Sequence, residues 1–130
     1  MIKENCRSCN ENLSRKSKSK ICKKCLIKNI KNTTLGEIKA KHKNRKTKCW
    51  YSSEIRNFAR TWNPQLLSNP CQVCNYENHT ELCHIKPIGN CEDSMSLGEI
   101  NSPSNLIILC PNHHWEFDNG ILKLEDIPVR

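Results

Sequence analysis

Ten cysteines in 130 residues constrain this chain more than any other feature. Six of them form three Cys-x-x-Cys pairs, Cys6/Cys9, Cys22/Cys25 and Cys71/Cys74, and Cys110 opens the related spacing Cys110-x-x-His113. Such spacings set two ligands on one tight turn, the unit from which tetrahedral zinc sites are built. The rest of the composition explains why staples are needed. Aromatic residues make up 5% of the chain and hydrophobic ones 36%, so one large apolar core is not expected. The opening MIKENCRSCN has no apolar run of the signal-peptide kind, and no run of about 20 apolar residues could cross a bilayer. The expected setting is reducing cytoplasm, where these spacings favour zinc over disulfides and no membrane partner is needed.

Charge divides the chain in two. Residues 1–60 hold 18 Lys/Arg against 4 Asp/Glu, whereas residues 61–130 hold 3 against 9. A strongly basic half beside an acidic one suggests an arm that binds a polyanion, with phosphate as its natural target, next to a module with another task. The plainer alternative is a solvated charge run that only aids solubility.

The chain divides into three stretches. In residues 1–32, two Cys-x-x-Cys pairs stand twelve residues apart, and the spacer NENLSRKSKSKI is almost free of apolar groups. Only a metal could order it, so Cys6, Cys9, Cys22 and Cys25 are expected to hold one structural zinc in a ribbon whose spacer is a short hairpin. Residues 33–62 are read as a basic helical segment. Thr34 with Glu37 is a capping box, and the cations Lys41, Lys43, Arg45, Lys46 and Lys48 leave no apolar face beyond Leu35, Ile38 and Ala40. A helix or a linker that orders on its partner fits equally. Ile55, Phe58, Ala59 and Trp62 then mark an amphipathic helix ended by Asn63-Pro64, with Arg56 and Arg60 on another face. Those arginines face either phosphate or solvent.

Residues 63–130 read as strand, loop, strand, helix. TELCHI (80–85) and NLIIL (105–109) are the strands, and 87–104 is rich in Pro, Gly, Asn, Asp and Ser, hence a loop. Pro111 suits a helix start and Gly120 its end. This is a small α+β unit that apolar burial alone cannot hold. Cys71, Cys74, Cys110 and His113 supply four ligands for a second, closed and therefore structural zinc. His114 is left over. It stands four residues before Asp118 on one helical face, where the two could hold a further divalent cation or form a plain surface pair.

Together, ELCHIKPI and NLIILCPNHHWEFDNG resemble the HNH endonucleases, of the ββα-metal fold, over roughly residues 66–124. The resemblance implies a small zinc-stabilised ββα-metal domain preceded by the ribbon and the basic segment. It implies hydrolysis of DNA phosphodiester bonds to 5′-phosphate and 3′-hydroxyl ends, nicking one strand per site and cutting two as a homodimer. His84 would be the general base, and Asn105 would bond either the loop backbone or the imidazole. His114 and Asp118 would hold a catalytic Mg²⁺ or Mn²⁺, or a Zn²⁺. Cys83 departs from the family, where Asp or His commonly precedes the base as a metal ligand. It either binds a softer ion or is a buried spectator. The resemblance points to a bacterial or phage-infected cell. The competing readings are a zinc-dependent nucleic-acid-binding protein that does not cleave and, less suited to the basic half, a protein–protein adaptor. Cys49, Cys91, His42 and His79 are read as ordinary thiols and surface imidazoles.

Overall fold

The computed structural model describes residues 5–7, 9, 21–43 and 50–129. The spacer 10–20 lies outside the described residues, as do Arg45, Lys46, Lys48 and Cys49. The centre of the C-terminal half is a two-stranded antiparallel sheet of β1 (Glu81–His84) and β2 (Leu106–Leu109), in a register that pairs His84 with Leu106. Every residue of β2 is buried, because both faces are covered. Leu106 and Ile108 meet Leu66 and Leu82 on one side, while Ile107 and Leu109 join Cys71, Cys83, Cys110 and Ile127 on the other. Two short strands cannot stand alone in water. Here the second face is closed by cysteines that also converge on a possible metal site.

Helix α6 (Pro111–Asp118) follows β2 directly, with Pro in its first turn as expected. It ends before Gly120, whose φ of 73° is a left-handed conformation open to glycine at little cost. Gln72 ties the first cysteine turn to the sheet. Its backbone N–H donates to Ile108 O at 2.9 Å and its Oε1 accepts from Ile108 N at 2.8 Å.

The N-terminal helices form a second apolar cluster over the β1–β2 connection. Its helices are α1 (Lys23–Asn32), α2 (Leu35–Lys41), α3 (Trp50–Trp62) and the four-residue α5 (Leu97–Ile100), while the single turn α4 (Pro64–Leu67) packs on the sheet through Leu66. Leu35, Ile38, Ile55, Ile88, Leu97 and Ile100 are its buried centre, with Ile30, Phe58 and Trp62 packed around them. The capping box of α2 is present as expected, Thr34 Oγ1 accepting from Glu37 N at 3.2 Å. Of the two readings, α2 is the basic helix, packed on the rest of the chain, and not a linker awaiting a partner. Leu35 and Ile38 are enough to bury it, and Leu35 N and Gly36 N donate to Met95 O and Asp93 O at 2.8 and 2.9 Å. The apolar stripe of α3 packs as its spacing requires.

Two expectations fail here. The stretch 87–104 is not a plain loop: it holds α5 and two 3-10 turns, Ile88–Asn90 and Pro103–Asn105, because Ile88, Leu97 and Ile100 each reach the core. And α1 occupies residues read only as part of a ribbon. It starts at its N-cap Cys22 and carries Cys25 in its first turn, then packs on α5. Gly98 permits the contact, since a Cβ there would stand 3.2 Å from both Lys31 Cβ and Lys31 O.

Candidate active site and metal centres

Three groups of side chains converge closely enough to share a cation, their donor atoms all lying within 4.8 Å of one another. The first is Cys6, Cys9, Cys22 and Cys25. Cys9 Sγ and Cys22 Sγ are 3.6 Å apart, and the N–H of Cys22 donates to Cys6 Sγ at 3.2 Å. A tetrahedron with Zn–S arms of about 2.3 Å has edges of about 3.8 Å. The four-thiol set therefore fits zinc in both chemistry and spacing.

The second group is Cys71, Cys74, Cys110 and His113. The Cys71–Cys74 turn is closed by Asn75 N donating to Cys71 O at 2.9 Å, with Asn75 at φ 63°, a left-handed position that Asn tolerates. His113 presents Nδ1, 3.2 Å from Cys110 Sγ and 3.6 Å from Cys71 Sγ, while Cys74 Sγ and Cys110 Sγ lie 3.9 Å apart. Burial pushes the Cys71 thiol up, but N–H groups of Cys110, Cys74 and Val73 outweigh it and bring it down to about 6. Cys71 thus supplies one thiolate at neutral pH, whereas Cys74, despite the N–H of Tyr76, is raised by burial and by the neighbouring sulfurs of Cys71 and Cys110.

The third group is Cys83, His114 and Asp118. His114 Nε2 is 3.4 Å from Asp118 Oδ2, the helical i,i+4 pair expected from the sequence. Its other nitrogen, Nδ1, is 3.0 Å from Glu81 Oε1 on β1. That bond is the main reason the Glu81 carboxyl lies below its usual range, against burial and with help from His79. A carboxylate behind a ligating imidazole orients the ring and raises its basicity. Cys83 is unlike Cys71: it is 1% exposed, and burial, reinforced by the charge of Asp118, pushes its thiol up to about 12. A thiol, an imidazole and a carboxylate suit an intermediate or soft divalent ion better than magnesium; the imidazole–carboxylate pair alone accepts either.

His84 ends β1, one residue beyond Cys83, so strand alternation turns it to the opposite face, toward α3. It is 8% exposed, and its Nε2 lies 2.8 Å from Oδ1 of the buried Asn101. Burial lowers its pKa, opposed by the Asn101 bond and aided by the charges of Arg56 and His114. The ring is therefore neutral at pH 7. His84, Arg56, Arg60, Glu81, His114 and Asp118 line one cavity of about 520 Å³, between α3 and α6.

Asn105 does not touch the imidazole. Its Oδ1 accepts from Lys86 N at 2.9 Å and its Nδ2 donates to Ile100 O at 2.8 Å, so it bonds the loop backbone. Lys41 is exposed, 3.5 Å from Glu54, and Lys43 is exposed; neither lines the cavity. His42 is not a surface imidazole: its side chain is 10% exposed and its Nε2 pairs with Glu54 Oε2. His79 is exposed beside Glu81, and Cys91 is a buried thiol donating to Pro87 O. Asn101, Asn63 and Glu81 were not anticipated. An Asn in GEINSPSN reads as loop polarity, and nothing local distinguishes it.

The family model described as HNH endonuclease matches residues 71–125. The likeness to that family is carried by this segment, which is under half of the chain. The match spans both strands, helix α6, the Cys71/Cys74/Cys110/His113 group and all three donors of the third group. Similarity to a family of nucleases suggests nuclease activity for this segment. No protein of curated function and no solved structure matches the chain. Among the described residues, no helix is long and apolar enough to cross a membrane.

Proposed function

We propose that this chain is a metal-dependent HNH endonuclease that hydrolyses DNA phosphodiester bonds, leaving 5′-phosphate and 3′-hydroxyl ends. The observation that carries the reading is the cavity in which a neutral His84 shares a wall with the His114–Asp118 pair. A general base needs an unprotonated nitrogen at working pH, and burial gives His84 one. The base takes a proton from water as its oxygen attacks phosphorus. His114 and Asp118 hold a divalent ion, Mg²⁺ or Mn²⁺ and with Cys83 also Zn²⁺, with Glu81 setting the direction of the His114 ring. When bound, that ion offsets charge on the phosphate and the departing 3′ oxygen. Arg56 and Arg60 reach the same cavity from α3 and bind the phosphates flanking the cut.

Zinc in the other two groups is structural, because four protein donors leave no open position. Lys41, Lys43, Arg45, Lys46 and Lys48 add long-range attraction for the backbone. One catalytic centre cuts one strand, so the chain nicks DNA alone and cuts both strands as a homodimer, in the cytoplasm of a bacterial or phage-infected cell. The test is cleavage of supercoiled plasmid with added Mg²⁺ or Mn²⁺. Wild type is expected to nick, and His84→Ala to lose cleavage with its zinc content unchanged. Tight, salt-sensitive DNA binding without cleavage under any divalent ion would replace this reading with a non-catalytic nucleic-acid-binding protein.

A further inference from the structure

Two buried polar side chains, Asn101 and Asn63, connect helix α3 to the His84 imidazole. Asn101, 2% exposed, stands at the C-cap of α5. Its Nδ2 donates to the carbonyl of Ile55 on α3 at 2.9 Å, which fixes which way the amide faces. Its Oδ1 is then the atom that meets His84 Nε2 at 2.8 Å. An amide oxygen only accepts, so Nε2 must carry the proton of the neutral ring. Nδ1 is left as the nitrogen with a lone pair. Asn101 is itself held: Asn63, 3% exposed, donates through Nδ2 to Asn101 O at 3.1 Å and to Ala59 O at 2.9 Å.

From this geometry we propose that Asn101 is a positioning residue for the reaction: by accepting the Nε2 proton it makes Nδ1 the nitrogen that takes the proton of water. The proposal rests on the reading of His84 as general base. Its consequence is that Ile55 and Asn63, which anchor Asn101 from α3 and its end, lie outside the family match at residues 71–125. The base is therefore set by a helix that the HNH domain proper does not contain, and the arginines of that helix reach the same cavity. Substrate phosphates bound by Arg56 and Arg60 and the orientation of the base share one rigid support.

A side chain that merely filled space could be replaced by leucine of similar size. The experiment uses the full-length, zinc-loaded protein with ¹⁵N-labelled histidine, at about pH 8.5, well above the ordinary histidine pKa of about 6.5. Wild type is expected to show His84 protonated at Nε2, with that proton protected from exchange. Asn101→Leu loses the protected signal, and its plasmid-nicking kcat falls about 100-fold with KM within about twofold. Asn101→Asp, which still offers an oxygen to Nε2, keeps the signal and recovers about tenfold in kcat. A wild-type ring protonated at Nδ1 would overturn the proposal. So would a leucine variant with unchanged signal and rate, or an Asp variant no better than leucine. If the leucine variant does not fold, the wild-type spectrum and the Asp variant decide. Wild type that shows Nε2–H but nicks no DNA would sink the general-base role itself and leave the tautomer assignment standing.

Discussion

Asn105 is the candidate site residue with two readings, and its replacement by alanine separates them. Its side chain makes two hydrogen bonds to backbone, from Lys86 N at 2.9 Å and to Ile100 O at 2.8 Å. A neutral hydrogen bond contributes about 0.5–1.5 kcal/mol net, and a half-buried partner left unpaired moves the cost to the upper part of that range. Asn105→Ala should therefore destabilise the protein by about 2–3 kcal/mol. At this chain length that lowers Tm by roughly 6–12 °C. Asn105→Asp keeps an acceptor for Lys86 N but has no donor for Ile100 O, so it should cost about half as much. Urea unfolding of the zinc-saturated protein, followed by tryptophan fluorescence, measures both. Because Lys86 follows His84 by two residues, kcat should fall in the same order, alanine below aspartate below wild type. An alanine variant within about 0.5 kcal/mol of wild type in stability, yet inactive, would refute the backbone-holding account. The side chain would then have to act on substrate or base, which the structure gives it no contact to do.

The other perturbations separate scaffold from chemistry. Cys71→Ser should remove one zinc ion per chain by metal analysis and abolish cooperative unfolding of the HNH domain, since structural zinc contributes about 10–16 kcal/mol against a typical domain stability of about 5–15 kcal/mol. Asp118→Asn, at a side chain 60% exposed, should leave zinc content and Tm unchanged while raising the Mn²⁺ concentration for half-maximal nicking about tenfold or more. Gly98→Val places atoms against Lys31 Cβ and O, both 3.2 Å from where a Cβ would stand, and should cost about 1–3 kcal/mol in the same urea assay.

What could be read from sequence follows the range over which each signal acts. The two strands, the Pro111 start of α6 and the Thr34 capping box depend on residues a few positions apart, and all are present. Metal groups join distant segments, yet each half carries its own spacing, so Cys71/Cys74 and Cys110/His113 could be matched without coordinates. The packing of α2 was hidden because only Leu35 and Ile38 are apolar among its lysines, and two side chains make no periodic stripe. Helix α5 was hidden by its length of four residues, below any reliable period. Asn101 and Asn63 could not be found at all. Their significance lies in being buried, and burial of a polar side chain is decided by helices forty residues away.

The adjacent imidazoles of one short helix face two different groups of candidate ligands. Successive residues on α6 are turned by about 100°, so neighbours cannot address the same point. His113 turns Nδ1 to the thiols of Cys71 and Cys110, while His114 turns Nε2 to Asp118 and Nδ1 to Glu81. The thiols nearby follow the same division. Cys71 is surrounded by N–H donors and ionises near 6, whereas Cys83, one strand away, is buried without such donors and stays protonated to about 12. The group that contains Cys83 offers an imidazole and a carboxylate together with a thiol that must lose its proton before it could ligate an ion. The two sulfurs thus differ in how many backbone N–H groups surround them.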